Sequence, residues 1–228
     1  MKRLSAAALF AVLLLTLASV AGAAASKPKL SFTKTNAQIG WSTEGGSSPG
    51  GGVSNANNQS IRINATGVTG SSGASAFTFG TDEELVNIRG KTLAQIDQLG
   101  FDSKGFLGAG APRISLGTTG DDGSHTYFLA AFHCNDATSG GWRTSDFVHD
   151  TTSCTIFRDG TGMTWAQAVV IAGANNETVV ASPNDWFLVV DEAPSLTYVD
   201  RLSVQDWCWT GNGANGIVNR NSGDCVDG

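Results

Sequence analysis

The sequence predicts an all-β fold, a β-sandwich or jelly roll with two short helices in its connections. About eight to ten short apolar or alternating segments, separated by Gly-, Ser- and Asn-rich turns, qualify as strands. Charged residues make up only 15% of the chain, and 29 residues are glycine. Many short strands with glycine-rich turns are typical of sandwiches and jelly rolls.

The clearest hairpin signal is the turn Gly120-Asp-Asp-Gly123 between residues 113–117 and 126–132. Its register has two alternatives. An even-length loop pairs Ile114 and Leu116 with the face of Tyr127, and an odd-length loop pairs them with the face of Phe128. Either register buries apolar side chains, so the hairpin is predicted to be central.

Two short helices are predicted, at residues 92–99 and 164–172. In the first, Leu93, Ile96 and Leu99 are spaced by three, Thr92 can cap, and a glycine follows as a stop. The second has the sequence TWAQAVVIA, and Gly173 follows it as a stop.

Residues 185–206 predict a closing hairpin of two strands joined at Glu192-Ala-Pro-Ser195. Residues 186–190 are almost continuously apolar, and residues 196–204 alternate. The alternation places Asp200 on the apolar face with Tyr198 and Leu202. A carboxylate there is costly unless it is paired, hydrogen-bonded or bound to a metal.

Residues 1–23 are predicted to be a secretory signal peptide. Lys2-Arg3 precedes an apolar segment and a run of small residues with cleavage sites after Ala23 or Ala25. Residues 24–60 then form an N-terminal strand and a Gly/Ser/Asn-rich loop, and residues 61–228 form the sandwich domain. The expected location is extracellular, and no other segment is long and apolar enough to span a bilayer.

The charge of the chain excludes two classes of partner. The formal net charge is −6, and loss of Lys2 and Arg3 with the signal peptide makes it −8. An acidic chain without a basic cluster is a poor binder of nucleic acid or anionic membranes.

Four cysteines, Cys134, Cys154, Cys208 and Cys225, predict two disulfides in an exported chain. Three pairings are open. Cys134–Cys154 and Cys208–Cys225 are favoured, because each closes a Gly/Asn/Asp-rich loop with no core of its own. The chain has no C-x-x-C pair, which is the spacing that would suggest a zinc site.

Three blocks carry a family resemblance: GKTLAQIDQLGFDSKGFLGAGAPRISL, TWAQAVVIAGANNETVV and WFLVVDEAPSLTYVDRLSVQD. Together they resemble secreted bacterial jelly-roll proteins of unknown function, over residues 61–206. The segment YVDRLSV is also similar to the last strand of galactose-binding-like carbohydrate-binding modules. That resemblance implies a structural calcium ion held by Asp200. The alternative is that Asp200 caps a neighbouring loop.

Trp142 is the predicted platform for a polysaccharide or glycan, because pyranose rings stack on aromatic faces beside hydrogen-bonding groups. It follows two glycines and precedes Arg143, which can bond a hydroxyl. Tyr127 and His125, two residues apart, are predicted to share a strand face and to add to this site.

No motif predicts catalysis. The sequence AAFHC around His133 superficially resembles a protease histidine motif, but no matching serine follows. No two carboxylates are paired as a glycosidase requires. The first hypothesis is therefore a secreted, non-catalytic module that binds carbohydrate. The second is a structural or interaction protein of the cell envelope, and the third a polysaccharide hydrolase.

Overall fold

The structure, a computed structural model, describes residues 33–42, 60–67, 73–75, 88–108, 110–134, 138–139, 141–150, 154–180, 187–205, 207–209 and 217–219. The predicted signal peptide lies outside these residues. Within them the chain forms sixteen β-strands, one α-helix and two 3₁₀ turns.

Two antiparallel sheets make the protein an all-β sandwich, as predicted. The first sheet contains β1 (Thr33–Thr35), β4 (Gly73–Ser75), β6 (Arg113–Gly120), β7 (Gly123–Ala130), β10 (Ile156–Arg158), β11 (Thr161–Met163), β12 (Thr178–Val180) and β13 (Leu188–Val190). The second contains β2 (Ala37–Ser42), β3 (Ser60–Ala65), β5 (Leu99–Gly105), β8 (Thr138–Ser139), β9 (Trp142–Asp146), β14 (Ser195–Val204), β15 (Trp207–Trp209) and β16 (Ile217–Asn219).

In the first sheet most neighbouring strands are distant in the sequence, and in the second sheet the central strand β14 pairs with the distant strands β3 and β5. The first sheet runs β1-β4-β13-β6-β7-β10-β11, and β12 also pairs with β6. The second runs β16-β15-β14-β5-β9-β8, with β3 also paired to β14 and β2 to β3. The N-terminal strands β1 and β2 therefore belong to the two sheets through β4 and β3.

The hairpin of β6 and β7 confirms the even-length register. Its turn is Asp121-Asp122, and Leu116 pairs with Tyr127. Alternate residues of both strands then face inward, and Leu116 and Tyr127 are fully buried. Burial of one apolar set per strand fixes this register, because a one-residue slip would expose all of them.

The helix α1 (Trp165–Ala174) confirms the second helical prediction. Thr164 caps it, since its hydroxyl accepts a hydrogen bond from the Gln167 N–H and the Gln167 side chain accepts one from the Thr164 N–H. Trp165 and the residues that follow it on the same face, Ala168 and Ala172, are buried in the core.

The predicted helix at 92–99 is instead a 3₁₀ turn, Leu93–Gln95. The side-chain oxygen of Gln205 accepts hydrogen bonds from the N–H groups of Asp97 (2.7 Å) and Gln98 (3.2 Å). Those N–H groups are the ones a continuing helix would use internally, so the chain leaves the turn and enters β5.

Strands β13 and β14 do not form the predicted hairpin. β13 pairs with β4 and β6 in the first sheet, whereas β14 pairs with β3, β5 and β15 in the second. The turn between them carries the chain across the sandwich, so each strand is held by partners distant in the sequence.

The face assigned to Asp200 was also wrong. Val199 is fully buried in the core, so Asp200 points to the other side of the second sheet. A β-bulge follows, in which Arg201 has a positive φ of 44°. The extra residue reverses the alternation, and Leu202 and Val204 therefore return to the core.

One predicted disulfide, Cys134–Cys154, is present and closes a loop with a sequence separation of 20. Cys225 lies outside the described residues, so the pairing Cys208–Cys225 stays a prediction. Among the described residues, no helix is long and apolar enough to cross a membrane.

Candidate functional site

Two phenylalanines lie side by side on the outer face of the first sheet. Phe128 of β7 and Phe157 of β10 are directly opposite each other in the ladder. Their sequence neighbours Tyr127 and Ile156 are fully buried, so strand alternation directs the two rings away from the core. Both phenylalanines are partly exposed.

The 3₁₀ turn Ala131–His133 extends this pair. The His133 ring lies 4.7 Å from Phe157, and the Phe132 ring lies 5.2 Å from His133 in an edge-to-face arrangement. Phe132 is 50% exposed, so its ring adds apolar surface beside His133. We call Phe128, Phe132, His133 and Phe157 the aromatic row.

Gly162 of β11 makes room at one side of the row. It pairs with Phe157, and a Cβ atom added at Gly162 would lie 3.3 Å from the Phe157 ring. A larger residue would therefore press on the ring, so the glycine helps to keep the row accessible.

An ion pair between Arg113 and Asp191 lies at the other end of the row, beside Phe128. The guanidinium of Arg113 lies 5.1 Å from the centre of the Phe128 ring. Its two terminal nitrogens donate to the two carboxylate oxygens of Asp191 at 2.5 and 2.6 Å. The arrangement thus combines apolar ring faces with polar groups at its edge, which is the chemistry of a sugar-binding surface.

Trp142, the predicted platform, is only 7% exposed. A ring this covered offers no face to a sugar, so the structure does not support that role. Arg143 donates to the carbonyl oxygen of Cys134 at 2.7 Å, next to the disulfide. Both residues belong to β9 in the second sheet, away from the strand that carries His125 and Tyr127.

His125 and Tyr127 do share a strand face, as predicted, but this face points inward. Tyr127 is fully buried, and its hydroxyl donates to a carboxylate oxygen of Glu177 at 3.0 Å. The same oxygen accepts from the Thr118 hydroxyl at 2.6 Å, and the other accepts from Arg158 at 2.7 Å. Three donors therefore compensate the complete burial of the Glu177 carboxylate.

At the solvent-exposed end of these residues, His125 contacts aspartates in two hairpin turns. His125 Nδ1 lies 2.6 Å from Asp159 in the β10–β11 turn, and Nε2 lies 3.0 Å from Asp122 in the β6–β7 turn. Arg158 also donates to Asp122, at 3.0 Å. We call Asp122, His125, Arg158, Asp159 and Glu177 the charged cluster.

Charge neighbours shift the pKa values in this cluster. Burial opposes protonation of His125, but its hydrogen bond to Asp159 and its contact with the Asp122 carboxylate outweigh that effect and raise its pKa. For Asp159, burial is likewise outweighed, by hydrogen bonds from the Thr126 N–H and His125, and the pKa is lowered. Burial, with Glu177 nearby, raises the pKa of Tyr127, which stays neutral.

The cluster also contains three groups at metal-ligand spacing. Oxygen or nitrogen atoms of Asp122, His125 and Glu177 lie within 4.8 Å of one another. However, Arg158 donates to both carboxylates from between them. The guanidinium therefore takes the place of a metal ion and supplies its positive charge, and we derive no metal chemistry from the cluster.

Asp200, the predicted calcium ligand, is 2% exposed and lies directly opposite the equally buried Asp102. One of its oxygens accepts a hydrogen bond from the Arg201 N–H at 2.8 Å, and the Arg201 side chain donates to Asp102 at 2.7 Å. The N–H contact agrees with the capping alternative. The Arg201 guanidinium forms an ion pair with Asp102, so a positive charge already lies beside the two carboxylates, and the arrangement does not fit a calcium site well.

Sequence reasoning did not predict the aromatic row, and of the charged cluster it named only His125 as a site residue. The aromatic row joins residues from two strands and a turn, and its one local signal is the alternation of Phe128 with buried neighbours. Glu177 follows the helix and resembles a solvated surface acid until its partners are known.

The comparisons with known proteins give no relative. No protein-family model matches the chain, and neither a curated protein nor a solved structure matches it.

Proposed function

We propose that the protein is a secreted, non-catalytic module that binds a carbohydrate chain along the aromatic row. The observation that supports this proposal is the partly exposed run of rings on the outer face of the first sheet. Aromatic rings stack on the C–H faces of pyranoses, and neighbouring polar groups bond the hydroxyls.

The spacing of the rings favours a chain over a single sugar. Phe132, His133 and Phe157 are successive contacts, with ring centres 5.2 and 4.7 Å apart. Phe128 adds a fourth ring through its ladder contact with Phe157. A run of this kind suits an extended ligand with repeated apolar faces.

The geometry at the end of the row favours binding over hydrolysis. Asp191 is held by both terminal nitrogens of Arg113, so its oxygens are committed to an ion pair. A glycosidase instead needs an acid and a base or nucleophile on either side of the scissile bond.

We further propose that the sandwich is a jelly roll. Eight strands in chain order, β3, β4, β5, β6, β7, β9, β13 and β14, support this. Their pairings are nested: β3 pairs with β14, β4 with β13, β5 with β9, and β6 with β7. A long hairpin rolled into two sheets has these pairings, and many carbohydrate-binding modules are jelly rolls.

The test is retention of the purified protein on insoluble cellulose, chitin and xylan, together with a glycan array. Phe132→Ala is the main variant, because Phe132 is half exposed and its loss should leave the fold intact. We expect about a tenfold loss of affinity, since a stacking contact is worth up to about 1.5 kcal/mol.

Phe106→Ala is the matched control, because Phe106 is also exposed (40%) and lies outside the row. Equal effects of the two substitutions would contradict the proposal. No binding to any glycan would also contradict it, and would favour the interaction protein of the cell envelope.

A further inference from the structure

Strand β11 is the last strand at one edge of the first sheet, within the part of the chain that the structure describes. It pairs with β10 through the two-residue turn Asp159-Gly160. Both turn residues have positive φ, 48° and 87°, as a type I′ turn requires. The pair that closes such a turn, Arg158 and Thr161, is hydrogen-bonded.

Hydrogen-bonded and non-hydrogen-bonded pairs alternate along an antiparallel ladder, so the N–H and C=O of Gly162 point away from β10. The hydrogen bonds between β10 and β7 agree with this alternation. The Asp159 N–H donates to the Thr126 carbonyl of β7 at 3.1 Å. Residues 157 and 159 therefore bond to β7, and residue 158 bonds to β11. Gly162 offers one donor and one acceptor at the edge, with no side chain in the way.

A groove of about 510 Å³ lies between this edge and α1. Met163 forms its floor on the strand side, and Ala166, Val170 and Ile171 form the helix wall. The opposite face of α1 packs into the core through Trp165, Ala168 and Ala172, so the helix is fixed in place. Val170 is 72% exposed, although it is an apolar residue in a well-formed helix.

The groove and the edge together suit a strand added from outside. A peptide paired with Gly162 would direct alternate side chains over Met163 and Val170, and its backbone would gain the hydrogen bonds that the edge offers. The lining also contains the polar residues Thr161 and Gln167 but no charged residue, and most of it is apolar, so the inward side chains should be apolar.

Charge favours a foreign peptide over a second copy of this chain. Two copies, each with a formal net charge of −6, repel each other. One end of the groove adjoins the β10–β11 turn, where Asp159 is 48% exposed, and Asp122 is 39% exposed beside it. These carboxylates already pair with His125 and Arg158, so a basic residue at that end of the peptide would approach their exposed sides.

We propose that β11 and α1 form a docking site for an extended peptide with alternating apolar residues and a Lys or Arg beside Asp159. Gly162 borders both sites, but the apolar contacts of the docking site lie on the inner side of β11 and on α1, whereas the aromatic row lies on the outer face.

The test is isothermal titration calorimetry of the unlabelled peptide acetyl-Lys-Val-Thr-Val-Thr-Val-amide with the full chain. The protein variant is Val170→Asp, which places a charge on the groove wall at an already exposed position. We expect it to weaken binding by about tenfold or more, because a carboxylate would have to be desolvated against the apolar side chains of the peptide.

Leu196→Asp is the matched control, since Leu196 is 38% exposed on the second sheet. It should leave the affinity unchanged. A peptide with Pro in place of the central Val should also fail, because Pro cannot donate to the edge. A peptide with Glu in place of Lys should bind more weakly.

Three results would overturn the inference: no binding of the peptide, equal effects of the two Asp substitutions, or a dimer that dissociates in Val170→Asp. The last would assign the groove to a second copy. Glycan retention is measured on the same variants. If Val170→Asp loses the peptide and keeps the glycan, the two sites are independent, and failure of either proposal leaves the other testable.

Discussion

Replacement of Arg158 by Met should destabilise the protein more than any exposed arginine substitution. Glu177 is completely buried, and Arg158 is its only cationic partner among the contacts described for it. Met fills a similar volume but removes the charge. The Glu177 carboxylate would then keep only the hydroxyls of Thr118 and Tyr127.

Removal of one partner from a buried ion pair costs about 3–5 kcal/mol. Arg158 is 16% exposed, and water can partly replace it, so the lower end of that range applies. For a domain of about 150–250 residues, 1 kcal/mol lowers Tm by about 2–4 °C. A loss of about 3 kcal/mol therefore corresponds to about 6–12 °C.

The assay is urea unfolding followed by tryptophan fluorescence, with Tm from calorimetry. Arg89→Met, at an exposed position, is the control and should cost under about 0.5 kcal/mol. The double variant Arg158→Met with Glu177→Gln should recover part of the loss, because it removes the unpaired charge. A cost below about 1 kcal/mol for Arg158→Met, or simple additivity in the double variant, would refute this account of the cluster.

Two further predictions concern pH and the 3₁₀ turn. The folded-state pKa of His125 is above its ordinary value of 6.5, so its stabilising effect is complete below that value and is lost as pH rises through the folded pKa. His125→Gln should therefore cost more at about pH 5.5 than at about pH 9 in urea unfolding, and a constant difference would contradict this. Gln205→Leu should cost about 2–4 kcal/mol, because it leaves the N–H groups of Asp97 and Gln98 without their acceptor. Hydrogen exchange of residues 95–98 should increase with it, and unchanged exchange would show that another acceptor replaces Gln205.

Local sequence signals predicted the parts of the fold that depend on local interactions. The Gly120–Gly123 turn and the capped helix at 165–174 are examples, since each is specified by neighbouring residues. The disulfide Cys134–Cys154 belongs to this group as well, because the loop it closes is short.

The errors come from interactions between distant residues. Nothing in the alternation of residues 196–204 indicates that Arg201 adopts a positive φ. Because of the bulge at Arg201, the residues before it face the opposite side of the sheet from the one that the alternation predicts. The turn at 92–99 has good helical spacing, but Gln205, more than a hundred residues later, captures its backbone N–H groups.

The candidate site was hard to predict for the same reason. The sequence predicts Trp142 as the platform, because a polar residue follows its ring in the sequence, but Trp142 is buried. The partly exposed rings are phenylalanines on two strands and a turn, and only the ladder register places Phe128 beside Phe157. The chain does not contain a local signal for that register.

The position of β14 in the middle of the second sheet has a consequence for how the chain folds. Val199 bridges Ile61 and Ser103, so this sheet cannot close until residues 195–204 have been synthesised. Topologies with mostly long-range pairings fold slowly, in about milliseconds to seconds. Until β14 arrives, β3 and β5 keep open edges that can pair with other chains. A chain truncated before Ser195 should therefore aggregate rather than form a stable half of the sandwich.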